Sequence, residues 1–143
     1  MARNIADKTN ADLFKIEPLT DYPNDYQEAT EVAIQEKNSN ARPEIKNKIS
    51  NINEYDTIFI GYPIWWGDMP MILYTFLESY DFSGKTIIPF NTHEGSGDSG
   101  TYNTIKSKLS SSNILEGLAI KGSEARQDYS KTTIQNWLNK IGF

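Results

Sequence analysis

Two short stretches hold the residues with the most chemical reach. The first, Tyr62-Pro63-Ile64-Trp65-Trp66-Gly67-Asp68, sets two indoles side by side between a proline and a glycine. Two neighbouring side chains in so constrained a turn cannot easily both point inward, so at least one indole is expected at a rim. There it would be an aromatic platform for a planar ring, the apolar part of a small-molecule pocket. The second stretch, Thr92-His93-Glu94-Gly95-Ser96-Gly97-Asp98-Ser99-Gly100, has three glycines among hydroxyl and carboxylate side chains. Glycine permits close approach of backbone to ligand, and the amides of such a loop could address carbonyl oxygens and ring nitrogens. The competing structural readings are burial of both indoles against a helix and a plain surface loop. His93, the only histidine, stands beside Glu94. Together they could relay a proton, since histidine titrates near neutral pH, or could simply be exposed loop residues.

Several chemistries are excluded. The second loop has no Gly-Lys-Ser/Thr ending and is not a P-loop, and it lacks the spacing and downstream acid of a dinucleotide fingerprint. Gly97-Asp98-Ser99-Gly100 superficially resembles the nucleophile segment of trypsin-like serine proteases. The strand and helix rhythm described next contradicts the double β-barrel that chemistry uses. A single His-Glu pair is too sparse for a metal site, and with no cysteine there are no disulfides, thiolate ligands or cysteine nucleophiles.

The elements that must carry the two loops follow from the apolar pattern. Thr57–Gly61 is short and nearly continuously apolar, as expected of a buried parallel strand. Pro70 opens an amphipathic helix that runs to about Tyr80. The unit repeats as a strand over Lys85–Phe90, a loop over Asn91–Gly100 and a helix over Thr101–Ser110. A last strand is expected over Ile114–Ile120, interrupted by Gly117, then a loop over Gly122–Arg126 and a helix over Tyr129–Ile141. Upstream, Met1–Thr9 reads as the rear part of a helix with no capping residue before it. Ala11–Glu17 reads as a strand ended by Pro18, Asp25–Lys37 as a surface helix, and Glu44–Asn53 as a short helix on the spacing of Ile45, Ile49 and Ile52. Strand, loop and helix in this order predict an α/β fold with a parallel sheet covered on both faces. Ligands of such sheets sit outside the carboxyl ends of the strands, where both loops fall.

The length of 143 residues favours one domain over residues 1–143, and 38% hydrophobic residues suffice for a core. The net charge of −5 argues against a nucleic-acid binder. No apolar run is long enough to cross a bilayer, and a cytoplasmic location is the expectation. The acidic stretch Glu17, Asp21, Asp25, Glu28 and Glu31 reads as a solvated face, with a docking surface for a basic redox partner as the alternative.

Tyr55-Asp56-Thr57-Ile58-Phe59-Ile60-Gly61-Tyr62-Pro63-Ile64-Trp65-Trp66-Gly67 resembles the third-strand region of flavodoxin-like proteins, in particular a bacterial flavodoxin-related group with a Pro-x-Trp-Trp turn. Ser83–Phe90 with Thr92 and Gly95-Ser96-Gly97 resembles their fourth strand and isoalloxazine-facing loop, and Ala11–Pro18 their second strand. The resemblance implies a three-layer, doubly wound parallel sheet of order 2-1-3-4-5 holding FMN, whose flavin performs the redox chemistry. It also implies that Pro63, Ile64, Trp65, Trp66 and Gly67 line one side of the ring, and Thr92, His93, Glu94, Gly95, Ser96 and Gly97 the other.

The resemblance has a gap. The family's first strand and phosphate-binding loop have no counterpart in this chain, which opens within what resembles the first helix. Three accounts are open: a start assigned to an internal methionine, a fragment completed by a partner or by strand exchange, or a rearranged strand order. Each implies weakened FMN affinity. The functional expectation is an FMN-dependent redox protein, either an electron shuttle with a protein partner or an NAD(P)H-linked reductase of a quinone or other small acceptor. A cofactor-free scaffold or interaction module is the alternative.

Overall fold

The computed structural model describes all 143 residues. Apolar residues of the two long strands alternate between two cores, and this alternation builds the layers. Strand β1, Thr57–Pro63, pairs in parallel with β2, Thr86–His93, from Thr57 opposite Thr86 to Pro63 opposite Thr92. Ile58, Ile60, Tyr62 and Ile87 face one core, shared with helices α3, Met71–Ser79, and α4, Thr101–Lys108. Phe59, Ile88 and Phe90 face the other, with Ile5 of α1, Ala2–Thr9, and Ile134, Trp137 and Leu138 of α6, Tyr129–Ile141. A continuous apolar strand buried on both faces is what a parallel α/β sheet requires.

The last strand is split into β3, Asn113–Ile114, and β4, Leu118–Lys121, both parallel to β2. Its interruption has a cause on β2. The carbonyls of Lys85 and Ile87 accept from the amides of Asn113 and Leu115, so odd-numbered residues there turn toward the last strand. Pro89 is next in that series and has no N–H to give. The chain departs from the ladder opposite it, and Gly117 fits where a Cβ would lie 2.4 Å from the Tyr102 ring and 2.8 Å from the Pro89 carbonyl.

The ends of α1 and α2 carry readable signals. Asn10 closes α1 in a left-handed conformation with φ of 53°. Asp25 caps α2, Tyr26–Asn38, by accepting the Glu28 amide at 3.0 Å. Between them the chain departs from expectation. Ala11–Glu17 joins no ladder, and only the isolated bridge Pro18–Ile45 follows it. A strand needs an adjacent edge, and here the neighbouring space is a groove. The segment is instead held from its far side, where Asn47 donates to the Lys15 carbonyl at 2.8 Å and accepts from the Glu17 amide at 3.2 Å.

Those same bonds occupy Asn47 with an extended neighbour, so Glu44–Asn53 is not a helix. Only the 3-10 turn Ile52–Glu54 forms; Ile52 enters the core from it, and Ile45 and Ile49 from irregular backbone. Two smaller corrections concern boundaries. Asn91 does not begin a loop, because β2 continues to His93 by pairing with both β1 and β4. Gly122–Ala125 forms a single helical turn, α5, within the expected loop.

β1 is the open edge of the sheet. The bond from the Thr86 amide to the Asp56 carbonyl, and that from the Ile64 amide to the Thr92 carbonyl, turn even-numbered residues toward β2. Thr57, Phe59 and Gly61 therefore present N–H and C=O groups to the groove, with no strand to receive them. The groove, about 1640 Å³, runs between β1 and Ala11–Ile16 and is walled by α1, α3 and Phe143.

Candidate functional site

The upper end of the groove is a cleft at the carboxyl ends of β1 and β2, and the Trp65 turn makes one wall. Trp65 and Asp68 exchange both backbone bonds, at 2.8 and 3.1 Å, around Trp66 and Gly67. Both central residues have positive φ, 53° and 71°, the geometry of the tight two-residue hairpin turn. Glycine adopts it freely, whereas tryptophan needs support. Lys37 donates to the Trp66 carbonyl, and the Trp66 indole N–H donates to the Thr30 carbonyl at 3.1 Å, both partners lying on α2. Asp68 closes the turn by accepting the Met69 amide at 2.7 Å and the Tyr74 hydroxyl at 2.8 Å.

The two indoles thus part company. Trp65 lines the cleft and meets Tyr22 edge to face, their centroids 5.3 Å apart. Trp66 is turned along α2, 51% exposed, and does not line the cleft. Tyr22 was not legible as a site residue because it lies in a polar stretch with no periodic pattern. Its hydroxyl donates to Glu36 at 2.8 Å. Burial, then the Glu36 carboxylate, raises its pKa far above the ordinary phenol value, so it stays a neutral aromatic wall.

The opposite wall is the end of β2 and the start of the loop after it. Thr92 and Glu94 line the cleft with Pro63, Gly122, Ser123 and Arg126. Glu94 lies over the start of α5, where a Cβ on Gly122 would fall 2.3 Å from its Oε1. Ile64 donates its amide to the Thr92 carbonyl at 2.8 Å and sends its side chain to the α3 core. His93 stands off the cleft lining, and its Nδ1 accepts the Gly95 amide at 2.9 Å. That bond assigns the proton of the neutral ring to Nε2. Gly67, Gly95, Ser96 and Gly97 shape the turns without lining the cleft, and Gly95 and Gly97 take φ of 137° and 62°.

The far half of the loop is anchored from below. Asn91 donates to the Gly97 carbonyl at 3.0 Å, and the Thr101 hydroxyl donates to the Asp98 carbonyl at 2.6 Å. Tyr62 shares a 2.7 Å bond with Thr101. The pKa values of Tyr62 and Tyr102 are driven up chiefly by burial. The amides of Ser96, Gly97 and Asp98 make no bond within the protein. The arrangement is an aromatic wall, Trp65 with Tyr22, facing Thr92 and Glu94 across a largely apolar cleft, which suits a flat ring. No group of three or more metal-ligating side chains is present, and no helix is long and apolar enough to cross a membrane.

The comparisons agree with this geometry. A family described as Flavodoxin matches residues 1–141. A Bacteroides eggerthii protein assigned to the flavoproteins is 34% identical, over 99% of this chain and 88% of its own, with a TM-score of 0.84. A similarly assigned protein from Bacteroides uniformis is 31% identical over 96% of this chain and 87% of its own, with a TM-score of 0.80. A Lactobacillus acidophilus flavoprotein solved in complex with FMN shares the fold at 23% identity and a TM-score of 0.62, over 86% of this chain and 87% of its own. No curated protein matches significantly. The parallel sheet between two helical layers, the cleft at its carboxyl ends and the match across almost the whole chain place this protein in the flavodoxin family.

Proposed function

We propose that the chain holds FMN with its ring in the cleft between the Trp65 turn and the Thr92–Asp98 loop, and serves as a redox protein. The observation that carries this reading is the opposition of Trp65 and Tyr22 to Thr92 and Glu94 across the cleft at the carboxyl ends of β1 and β2. The residues present fit such a ring. Trp65 and Pro63 offer apolar surface, and Thr92 and Glu94 bound the opposite side. The FMN complex of the Lactobacillus relative supports the choice of cofactor.

When bound, the flavin supplies the electron transfer. The protein's part is to orient the ring, shield its faces from water and set the hydrogen bonding and charge at its edge. Glu94 is the carboxylate on the cleft wall and would disfavour added negative charge nearby. With Nδ1 accepting the Gly95 amide, His93 offers a ligand at the loop a hydrogen bond from Nε2–H, and a proton-relay role with Glu94 would require that bond to break first.

The redox role is one of two, an electron shuttle serving a protein partner or a reductase that oxidises NAD(P)H and reduces a quinone or small acceptor. The acidic stretch Glu17, Asp21, Asp25, Glu28 and Glu31 is where a basic partner would dock. A second copy of the chain, by strand exchange or edge pairing, would meet the open groups of Thr57, Phe59 and Gly61. Titration of the purified chain with FMN, followed by rapid mixing of the complex with NADPH, tests these readings. Uptake with direct NADPH oxidation supports the reductase, uptake without it supports the shuttle, and no uptake contradicts the flavin reading.

A further inference from the structure

Tyr22 lines the cleft from a segment that no secondary structure holds. Over residues 20–24 no backbone N–H or C=O forms a hydrogen bond within the protein. The one bond of this segment is that from the Tyr22 hydroxyl to Glu36 Oε2, at 2.8 Å. The ring nonetheless stands edge-on to Trp65, with centroids 5.3 Å apart and planes at 85°. An aromatic pair keeps such a geometry only while both rings are held against their rotational freedom. Trp65 is held by its two backbone bonds to Asp68, so the holding of Tyr22 falls to Glu36.

Glu36 is placed to do this without touching a ligand, since it does not line the cleft. On α2, Thr30, Glu36 and Lys37 lie three or four residues from Ala33 and share its helix face. Ala33 is the buried residue of that helix. Beside it the Thr30 carbonyl accepts the Trp66 indole N–H at 3.1 Å, and Lys37 donates to the Trp66 carbonyl. No α2 residue belongs to either core or packs against one. The helix is thus fastened by polar ties to the aromatic wall, and an element with so little apolar anchorage opens locally at low free energy.

We propose that Glu36 is a positioning residue for the aromatic wall. By accepting the Tyr22 hydroxyl it holds that ring edge-on to Trp65, so the two rings meet a flavin as one preformed surface. The inference rests on the flavin reading above and adds to it the residue that prepares the wall. A preformed wall removes an ordering cost that binding would otherwise carry, so Glu36 favours the ligand without contacting it. Linkage makes the effect reciprocal: a ring seated on Tyr22 and Trp65 stabilises the docked form of α2.

The test measures the FMN dissociation constant and α2 amide exchange in the wild type, Glu36→Leu, Glu36→Gln, Tyr22→Phe and the double variant Tyr22→Phe with Glu36→Leu. In the wild type, FMN should slow exchange along α2. Glu36→Leu should raise the dissociation constant about fivefold, within the worth of one oriented aromatic pair. Glu36→Gln keeps an acceptor oxygen and should stay within about twofold. Tyr22→Phe deletes one oxygen and keeps the ring. It should match Glu36→Leu, which leaves the test intact if that variant fails to fold. The double variant should bind no more weakly than either single one, because all three remove the same bond. Trp66→Ala loosens α2 and spares that bond; a helix still docked more than half the time lowers apparent affinity by less than about twofold. In the ligand-free protein, nuclear Overhauser contacts between the Tyr22 and Trp65 rings should be present in the wild type and lost in Glu36→Leu.

A wild type that binds FMN, beside Glu36→Leu and Tyr22→Phe of unchanged affinity, overturns the positioning role and leaves the flavin reading standing. Additive losses in the double variant, a Glu36→Gln as weak as Glu36→Leu, or ring contacts that persist in Glu36→Leu do the same. A wild type that takes up no FMN overturns the flavin reading and the positioning role with it.

Discussion

Replacing Gly61 with alanine tests whether the sheet beneath the cleft is packed as described. Gly61 lies opposite Phe90 in the parallel register, and an added Cβ would fall 2.1, 2.3 and 2.8 Å from three atoms of that ring. Gly61 does not have positive φ, so alanine is compatible with the backbone and the conflict is one of packing alone. Phe90 is almost fully buried among Ile5, Ile88, Ile120 and Trp137, and its ring cannot turn without disturbing them. Overpacking of this kind costs about 1–3 kcal/mol. With an unfolding entropy of about 2.1 cal/mol/K per residue, a chain of this length loses about 3 °C per kcal/mol, so Tm should fall by about 3–10 °C. Phe90→Leu removes the ring edge that collides, so Gly61→Ala should cost much less in that background. Denaturant unfolding of the four proteins should show a coupling of about 1–2 kcal/mol. Costs that add to within about 0.5 kcal/mol, the behaviour of independent sites, would refute the contact.

Three further outcomes follow from the same geometry. Trp65→Ala should weaken FMN binding about tenfold, the worth of an aromatic contact. Trp66→Ala should lower Tm by loosening α2 while leaving FMN affinity within about twofold; fluorescence titration and calorimetry separate the two. The Glu78 carboxylate, which accepts from Arg42 at 2.7 and 3.0 Å and from Lys108 at 3.0 Å, is held down to about 2 from its ordinary 4.5 by these bonds. Its folded value is depressed, so its stabilisation is present above pH 4.5 and is lost as pH falls toward 2. Because the side chain is 44% exposed, the contribution is under about 1 kcal/mol and shrinks with salt. Glu78→Gln should flatten that limb of the stability profile in acid unfolding experiments. Finally, the open groups of Thr57, Phe59 and Gly61 should drive association as concentration rises. Sedimentation would detect it, and Thr57→Lys should suppress it, since charge on an edge strand opposes pairing.

What the sequence discloses divides along physical lines. Thr57–Gly61 and Thr86–Phe90 are readable because a strand buried on both faces must be apolar throughout, and α6 is readable because its periodicity matches one core face. The Trp65 turn and the start of the loop after β2 are readable as parts of a cleft rim from residue type and place in the rhythm. The irregular stretch is not. Ile45, Ile49 and Ile52 have helical spacing and do enter the core, but Asn47 is committed to Lys15 and Glu17, more than twenty residues away, and spacing carries no sign of that. Ala11–Glu17 has the composition of a strand, yet pairing belongs to two segments and not to one.

The site is legible to the same degree. Trp65 and Trp66 are equivalent as letters, and only the bonds of Trp66 to α2 send one indole to the cleft and the other away. Tyr22 reaches the cleft from a polar connector. Asn91 appears at the boundary of a loop, and its part in anchoring that loop arises from Tyr102 and Gly97, neither of them its neighbour in sequence.

The most direct measurement of the central claim is an absorbance and tryptophan-fluorescence titration of the purified chain with FMN. The account predicts saturable uptake of one FMN per chain, a shifted flavin spectrum, and quenching that is largely lost in Trp65→Ala and largely retained in Trp66→Ala. A free-flavin spectrum and unchanged tryptophan emission throughout the titration would contradict it.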